Sequence, residues 1–89
     1  MTREDIQNEL ADYCRELRLD EVYGVLTDKR TNEKGRSVRT VTFCKARTLD
    51  GLIEIYGPTF IRITSNYTYP TIAKSLGEAK GFLKEFFTN

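Results

Sequence analysis

The first apolar positions of the chain recur at three- and four-residue steps. This is the spacing of one face of a helix. The positions that show it are Ile6, Leu10, Tyr13, Cys14 and Leu17. Thr2 and Asp5 stand three residues apart at the start, as in a capping box with Asp in place of Glu. The pattern predicts an amphipathic helix over about residues 3 to 18, with Cys14 as a small core residue.

The middle of the chain changes to β-branched and aromatic residues, which favour strands. Four strand-like segments follow one another: VYGVLT, SVRTVTFCKAR, LIEIY and FIRIT. They are separated by the polar stretch DKRTNEKGR, by Asp50-Gly51 and by Gly57-Pro58. We expect an antiparallel β-meander whose first two strands are joined by a long, solvated, basic hairpin loop.

The turn between the second and third strands sets their register. A three-residue turn of Leu49, Asp50 and Gly51, with the glycine in the left-handed position, pairs Thr48 with Leu52. A two-residue Asp-Gly turn would instead place Thr42 and Cys44 against the isoleucines, which buries poorer residues. The three-residue turn is therefore the prediction.

This register gives the sheet two different faces. One face is apolar and is expected to take both helices; it carries Val41, Phe43, Ile53, Ile55, Ile61 and Ile63. The other carries Thr40, Thr42, Cys44, Glu54, Tyr56, Phe60 and Arg62. On this second face Tyr56 is expected opposite Phe60, and Glu54 opposite Arg62 as a cross-strand ion pair.

The C-terminal segment returns to helical spacing. Ser75 and Glu78 stand in capping-box relation. The stripe that follows is formed by Leu76, Ala79, Leu83 and Phe86, with Phe82 and Phe87 beside it. The pattern predicts a helix over about residues 76 to 88. The preceding TIAK fits either a fifth, edge strand or the first turns of this helix, and the strand is favoured. The fold class is thus α+β, a single domain of residues 1–89 in the order α-β-β-β-β-(β)-α.

Composition excludes several functions. With 89 residues there is room for one modest core. No apolar stretch reaches the roughly 18 residues that span a bilayer, and the charged N-terminus is unlike a signal peptide, so a cytoplasmic protein without membrane contact is expected. Two cysteines and no histidine fit neither a zinc site nor a disulfide scaffold. Without histidine no nucleophilic triad can be assembled, and we expect a non-enzymatic protein with no metal and no cofactor.

Charge is uneven along the chain. Residues 1–21 hold seven acidic and three basic residues, whereas residues 28–47 hold seven basic and two acidic residues. A hairpin tip bearing Lys29, Arg30, Lys34 and Arg36 is a candidate for phosphate contacts, with Tyr56 and Phe60 as stacking surfaces. The alternative is a loop that charge merely keeps soluble. The acidic first helix counts against nucleic acid unless it faces away.

The second sheet face offers the other candidate site. Neither predicted helix is available to cover a mixed patch on this face. The patch consists of Thr40, Thr42, Cys44, Tyr56, Phe60 and Arg62. Small domains often bury such a face on another subunit, so we expect a homodimer or a protein partner and, by elimination, a regulatory or inhibitory accessory protein. The alternatives are a nucleic-acid-binding module using the basic hairpin, a link at Tyr67 to Tyr69 that folds over the patch, and a small-molecule pocket beneath that link.

Overall fold

A computed structural model describes residues 1–46, 49–65 and 69–88. In these ranges the elements are α1 (Arg3–Glu16), β1 (Val25–Thr31), β2 (Ser37–Ala46), β3 (Leu49–Gly57), β4 (Phe60–Ser65), β5 (Thr71–Ala73) and α2 (Leu76–Phe87). The five strands form one antiparallel sheet in the order β1-β2-β3-β4-β5. The predicted α+β class and meander are confirmed, and residues 71–73 are a strand rather than helix.

Helix α1 begins with the predicted capping box. The Thr2 hydroxyl accepts a hydrogen bond from the Asp5 backbone N–H at 3.1 Å, and the Asp5 carboxylate accepts one from the Thr2 N–H at 3.0 Å. The hydrogen bond from the Thr2 backbone N–H lowers the pKa of the Asp5 carboxyl, and the Thr2 side chain lowers it further. The helix ends at Glu16, earlier than predicted, because Arg18 takes a left-handed φ of 62° and turns the chain.

Both helices pack on the same side of the sheet, α1 against β1, β2 and β3, and α2 against β4 and β5. The core between the layers includes all six residues predicted for that face: Val41, Phe43, Ile53, Ile55, Ile61 and Ile63. Cys14 is also fully buried, and burial raises the pKa of its thiol to about 12. Its predicted role as a core residue is confirmed.

Gln7 is a core contact that apolar periodicity did not reveal. Its side chain is buried, and its Nε2 donates to the carbonyl oxygens of Asp28 at 2.8 Å and Thr40 at 2.9 Å. Its Oε1 accepts from Arg39 Nη1 at 3.1 Å. A buried amide with these partners is satisfied, and it fixes α1 to the first hairpin.

The predicted pairing of β2 with β3 is wrong in register and right in face. Phe43 lies opposite Gly51 and Thr42 opposite Leu52, with a bulge between Cys44 and Ala46. Gly51 is therefore inside the strand, beneath the Phe43 ring, and not at a left-handed turn position. The predicted Thr48 pairing falls outside the described residues. The face assignment holds because the observed register differs from the predicted one by an even number of residues.

The pairing of β3 with β4 is largely as predicted. Glu54 lies opposite Arg62 and Ile55 opposite Ile61. A bulge at Tyr56 places Phe60 opposite Gly57 instead. The Tyr56 and Phe60 rings still meet edge to face, with centroids 5.1 Å apart and an interplanar angle of 82°.

The long basic loop predicted between β1 and β2 is wrong. Residues 28–31 continue β1, and only residues 32–36 form the turn. The Asn32 side-chain oxygen accepts from the backbone N–H groups of Lys34 and Arg36, and Gly35 supplies a left-handed φ of 79°. The side chains of an edge strand are exposed, and charges on them oppose edge-to-edge pairing. Such a strand can therefore be as polar as a loop.

Candidate interaction surface

The side of the sheet away from the helices is called here the open face. Side chains alternate between the two faces of a strand, so the pairing assigns to the open face Leu26, Asp28, Arg30, Val38, Thr40, Thr42, Cys44, Leu52, Glu54, Tyr56, Phe60, Arg62, Thr64 and Ile72. All six residues predicted for the binding face are among them. The open face has two ends of different character.

The basic end is a groove of about 930 Å³. It lies between the 32–36 turn and the β3–β4 hairpin, and its lining includes Arg30, Lys34, Arg36, Val38, Glu54, Tyr56, Phe60 and Arg62. The structure thus brings residues of the two predicted candidate sites into one groove. Their chemistry is an aromatic pair bordered by guanidinium and ammonium groups.

The floor of the groove is a small polar and aromatic network. The Tyr56 hydroxyl donates to Glu54 Oε2 at 3.2 Å, and Arg62 Nε lies 3.2 Å from Glu54 Oε1. The predicted ion pair is therefore present. Burial raises the pKa of the Tyr56 phenol, and the negative charge of Glu54 raises it further. Tyr56 is held protonated at neutral pH, as a donor to Glu54.

Three of the four residues predicted for phosphate contact line this groove. Arg30, Lys34 and Arg36 are exposed there, and none of them has an ion-pair partner among residues 1–46, 49–65 and 69–88. Lys29 is the exception, because it pairs with Arg39 and so faces the helix side. Arg47 and the side chain of Lys45 lie outside the described residues.

The acidic helix α1 lies in the other layer. Its Glu4 pairs with Arg39 at 3.3 Å and its Glu9 with Lys80 at 3.6 Å, both on the helix side of the sheet. The sheet stands between these carboxylates and the groove. The objection that α1 repels an anionic ligand at the basic hairpin therefore does not apply to Arg30.

The apolar end of the open face lies at the opposite end of β1 and β2. Leu26 is 63% exposed there, beside Thr42 and Leu52 in one cross-strand row. Tyr23, also exposed, borders the same end, where a hollow of about 430 Å³ reaches to Thr64. This end carries exposed apolar side chains, and Arg30 lines both its hollow and the basic groove.

Two hydroxyl groups on the open face are buried and lack a hydrogen-bond partner in the part of the chain that the structure describes. Thr40 is only 1% exposed, and neither its Oγ1 nor that of Thr64 has a hydrogen-bond partner among the described residues. A buried hydroxyl in that condition costs about 1–3 kcal/mol. Both groups lie on the same surface as the exposed apolar residues.

The link after β4 does not provide the predicted cover in the part that is described. Tyr69 is 92% exposed, so its ring does not pack on the open face. Tyr67 falls outside the described residues. Since both helices occupy the other layer, no described element covers the open face.

Some members of the surface were missed by sequence reasoning. Leu26, Val38 and Ile72 were not assigned to it, because the first and last strand pairings were not predicted. The signal that could have placed Leu26 is Asn32 with Gly35, whose side-chain acceptor and left-handed backbone mark a short turn. A short turn fixes the register of the hairpin back to Leu26.

The described ranges hold neither a cluster of metal-ligand side chains nor a helix that could span a bilayer. No three His, Cys, Asp or Glu side chains lie together there as metal ligands would. Within the same residues no helix has the length and apolarity needed to span a bilayer.

Comparison with known proteins gives no family model, no curated protein and no solved structure that matches this chain.

Proposed function

We propose that this protein is a small non-enzymatic interaction module that binds a protein, a second copy or another chain, through its open face. The observation that supports this most directly is apolar exposure on a sheet face that the helices leave uncovered. Leu26 is 63%, Phe60 46% and Ile72 37% exposed on this one face. These three side chains lie on different strands of the same face, and exposed apolar area on a sheet face that no helix covers favours an interaction surface.

The charge distribution also favours a protein partner. Asp28, Glu54 and Arg62 lie in the middle cross-strand row of the open face, and Arg30 lies in the next row, opposite Val38. A surface with both signs and apolar groups complements another protein surface. Aromatic and arginine side chains such as Tyr56 and Arg62 are enriched at interface centres.

A photo-crosslinking experiment tests the proposal. A benzophenone amino acid is placed at Phe60 in the full chain and, as the control, at Glu85, an exposed position of α2 in the other layer. In cells that naturally make the protein, we expect discrete protein adducts from position 60 and none from position 85. Mass spectrometry of the adduct separates a second copy from another protein.

Two results would contradict the proposal. One is that neither position gives a discrete adduct while both variants stay folded by circular dichroism. The other is an equal yield from positions 60 and 85, because the open face then has no preference over the helix layer.

Nucleic-acid binding is the second candidate function. The observation in its favour is that Arg30, Lys34 and Arg36 share one groove with Tyr56 and Phe60, on the layer away from the acidic helix. Cations along a groove with aromatic side chains are the features that bind single strands. Against it, Glu33 and Glu54 line the same groove.

Salt dependence tests this second candidate. If phosphates are bound, affinity for a single-stranded oligonucleotide falls steeply between low and moderate salt. Arg30→Gln is then expected to reduce the slope of log K against log salt by about 1, whereas Lys29→Gln, its neighbour on the helix side, leaves it unchanged. Fluorescence anisotropy measures both. Failure to bind at low salt would exclude nucleic acid.

A further inference from the structure

We infer that the open face binds an acidic segment of another protein, whose carboxylates are held in the basic groove between the 32–36 turn and the β3–β4 hairpin. The inference rests on the proposed function and names the chemistry of the partner. The groove has two walls of different character, a cationic wall from the first hairpin and an aromatic wall from the β3–β4 hairpin. A ligand that fits both walls carries carboxylates beside an apolar or aromatic side chain.

The cationic wall consists of side chains that the chain itself does not neutralise. Arg30, Lys34 and Arg36 are exposed and have no ion-pair partner in the part of the chain that the structure describes. Arg62, the fourth cation of the groove, differs, because Glu54 Oε1 lies 3.2 Å from its Nε. Guanidinium groups bind carboxylates through two parallel hydrogen bonds, so the unpaired arginines suit acidic side chains of a partner.

The aromatic wall continues an apolar floor that begins beside the cations. Arg30 lies opposite Val38 on the first hairpin, and the register of β2 with β3 places Val38 beside Tyr56. The Phe60 ring then meets the Tyr56 ring with centroids 5.1 Å apart, and Phe60 is 46% exposed. An anionic group and an apolar group of one ligand therefore fit at the two ends of this row.

The size of the groove suits a short segment. Its volume of about 930 Å³ lies within the range of about 300–1,000 Å³ that is usual for sites enclosing a small ligand. A folded domain does not enter a space of this size, whereas a few side chains of a peptide do. The partner is therefore expected to present the acidic residues on a protruding or unfolded segment.

The charge balance of the groove favours a peptide over nucleic acid. Among the described residues four cations and two carboxylates line the groove, an excess of two positive charges. Glu33 is exposed in the turn beside Lys34. A single-stranded nucleic acid carries a phosphate at every nucleotide and is bound by grooves that stay positive along its backbone. An acidic peptide can instead place a neutral residue against Glu33.

The ring geometry also favours a peptide. The Tyr56 and Phe60 rings stand at an interplanar angle of 82°, so the edge of one ring covers a face of the other. Successive bases of a single strand stack on open ring faces. An edge-to-face pair leaves fewer such faces, but its exposed rim still packs against an apolar side chain.

Selection from a phage-displayed library of random peptides tests the inference, with the full chain as bait. We expect the recovered peptides to be rich in Asp and Glu and to carry an apolar or aromatic residue. The double variant Arg30→Gln with Arg36→Gln is expected to recover no such motif. The matched control is Lys29→Gln with Lys84→Gln, which removes two positive charges from exposed positions outside the groove. It is expected to recover the wild-type motif.

Fluorescence anisotropy with a labelled synthetic copy of a recovered peptide measures the size of the effect. The groove double variant is expected to lower the affinity about tenfold, and the control double variant by less than about twofold. Phe60→Ala is expected to lower it about tenfold and serves if the groove double variant does not fold by circular dichroism. Glu33→Gln should raise the affinity about twofold, because it removes a carboxylate that repels the ligand.

Three outcomes overturn the inference. One is a selection that recovers no motif, or a motif without an excess of acidic residues. Another is an equal loss of affinity in both double variants, because net charge then explains the binding. The third is a single-stranded oligonucleotide that displaces the peptide and binds more tightly at moderate salt, because the groove is then a nucleic-acid site. If position 60 still gives discrete protein adducts in cells, each of these outcomes removes the acidic segment and leaves the proposed function standing.

Discussion

Replacing Gly51 with alanine is expected to lower the free energy of unfolding by about 3 kcal/mol. A Cβ at this position would overlap the Phe43 ring, which lies across the strand directly over the glycine. The ring has little room to move away, because it also packs edge to face on Phe87 at 4.8 Å. Urea denaturation followed by circular dichroism measures the change.

Two further variants make this expectation specific. Gly81 is exposed within α2 and has open space around it, so Gly81→Ala should raise the stability by about 1 kcal/mol. In a Phe43→Ala background the added methyl at position 51 has space, and Gly51→Ala should then cost far less than in the wild type. An equal cost of Gly51→Ala in both backgrounds would show that the ring is not the cause.

Gly51 also shows why register was harder to predict than face. Asp-Gly between two strands is a strong turn signal, and the sequence does not distinguish a glycine that turns the chain from one that makes room for an aromatic ring. The assignment of Val41 and Ile53 to the core survived because it depends only on odd and even positions. Any error of two, four or six residues leaves the faces unchanged.

The prediction for the first hairpin was wrong for a different reason. The polarity of residues 28–31 predicts a loop, but on an edge strand with exposed side chains polarity is compatible with pairing. Side chains alternate between the two faces along this strand, so neighbouring cations separate. Arg30 lines the groove, whereas Lys29 faces the helix side. The groove forms only because the 32–36 turn lies beside the β3–β4 hairpin. These segments are distant in the chain, so no local sequence pattern predicts that they meet.

The site contacts that the sequence predicted join residues close to each other in the chain. Glu54 and Arg62 belong to one hairpin with a short turn, so strand alternation was enough to pair them. The Tyr56 and Phe60 rings meet in the same hairpin, although a bulge changes their predicted pairing. Gln7 is the opposite case, a polar residue whose partners Asp28 and Thr40 are distant in the chain. A buried amide with distant partners gives no periodic signal, since periodicity counts only apolar positions.

Phe87→Ala is expected to destabilise the fold by about 3–5 kcal/mol, the range for removing a buried phenylalanine ring. Phe87 is 1% exposed and belongs to the core with Ala79 and Leu83. These three positions are four residues apart, so they follow one line along the helix. The sequence pattern instead placed Phe86 on the buried stripe, because 76, 79, 83 and 86 also satisfy helical spacing.

Phe86→Ala is the matched control, since Phe86 is only partly buried and stacks on Phe82 at 5.5 Å. Its expected cost is well below that of Phe87→Ala, and thermal unfolding of the two variants gives the comparison. The order of the two costs is what matters, because both residues lie in the last turn of α2 and share any fraying of that end. If Phe86→Ala were the more costly, the sequence stripe would be right and α2 would be rotated by about 100° about its axis, one residue of helical turn.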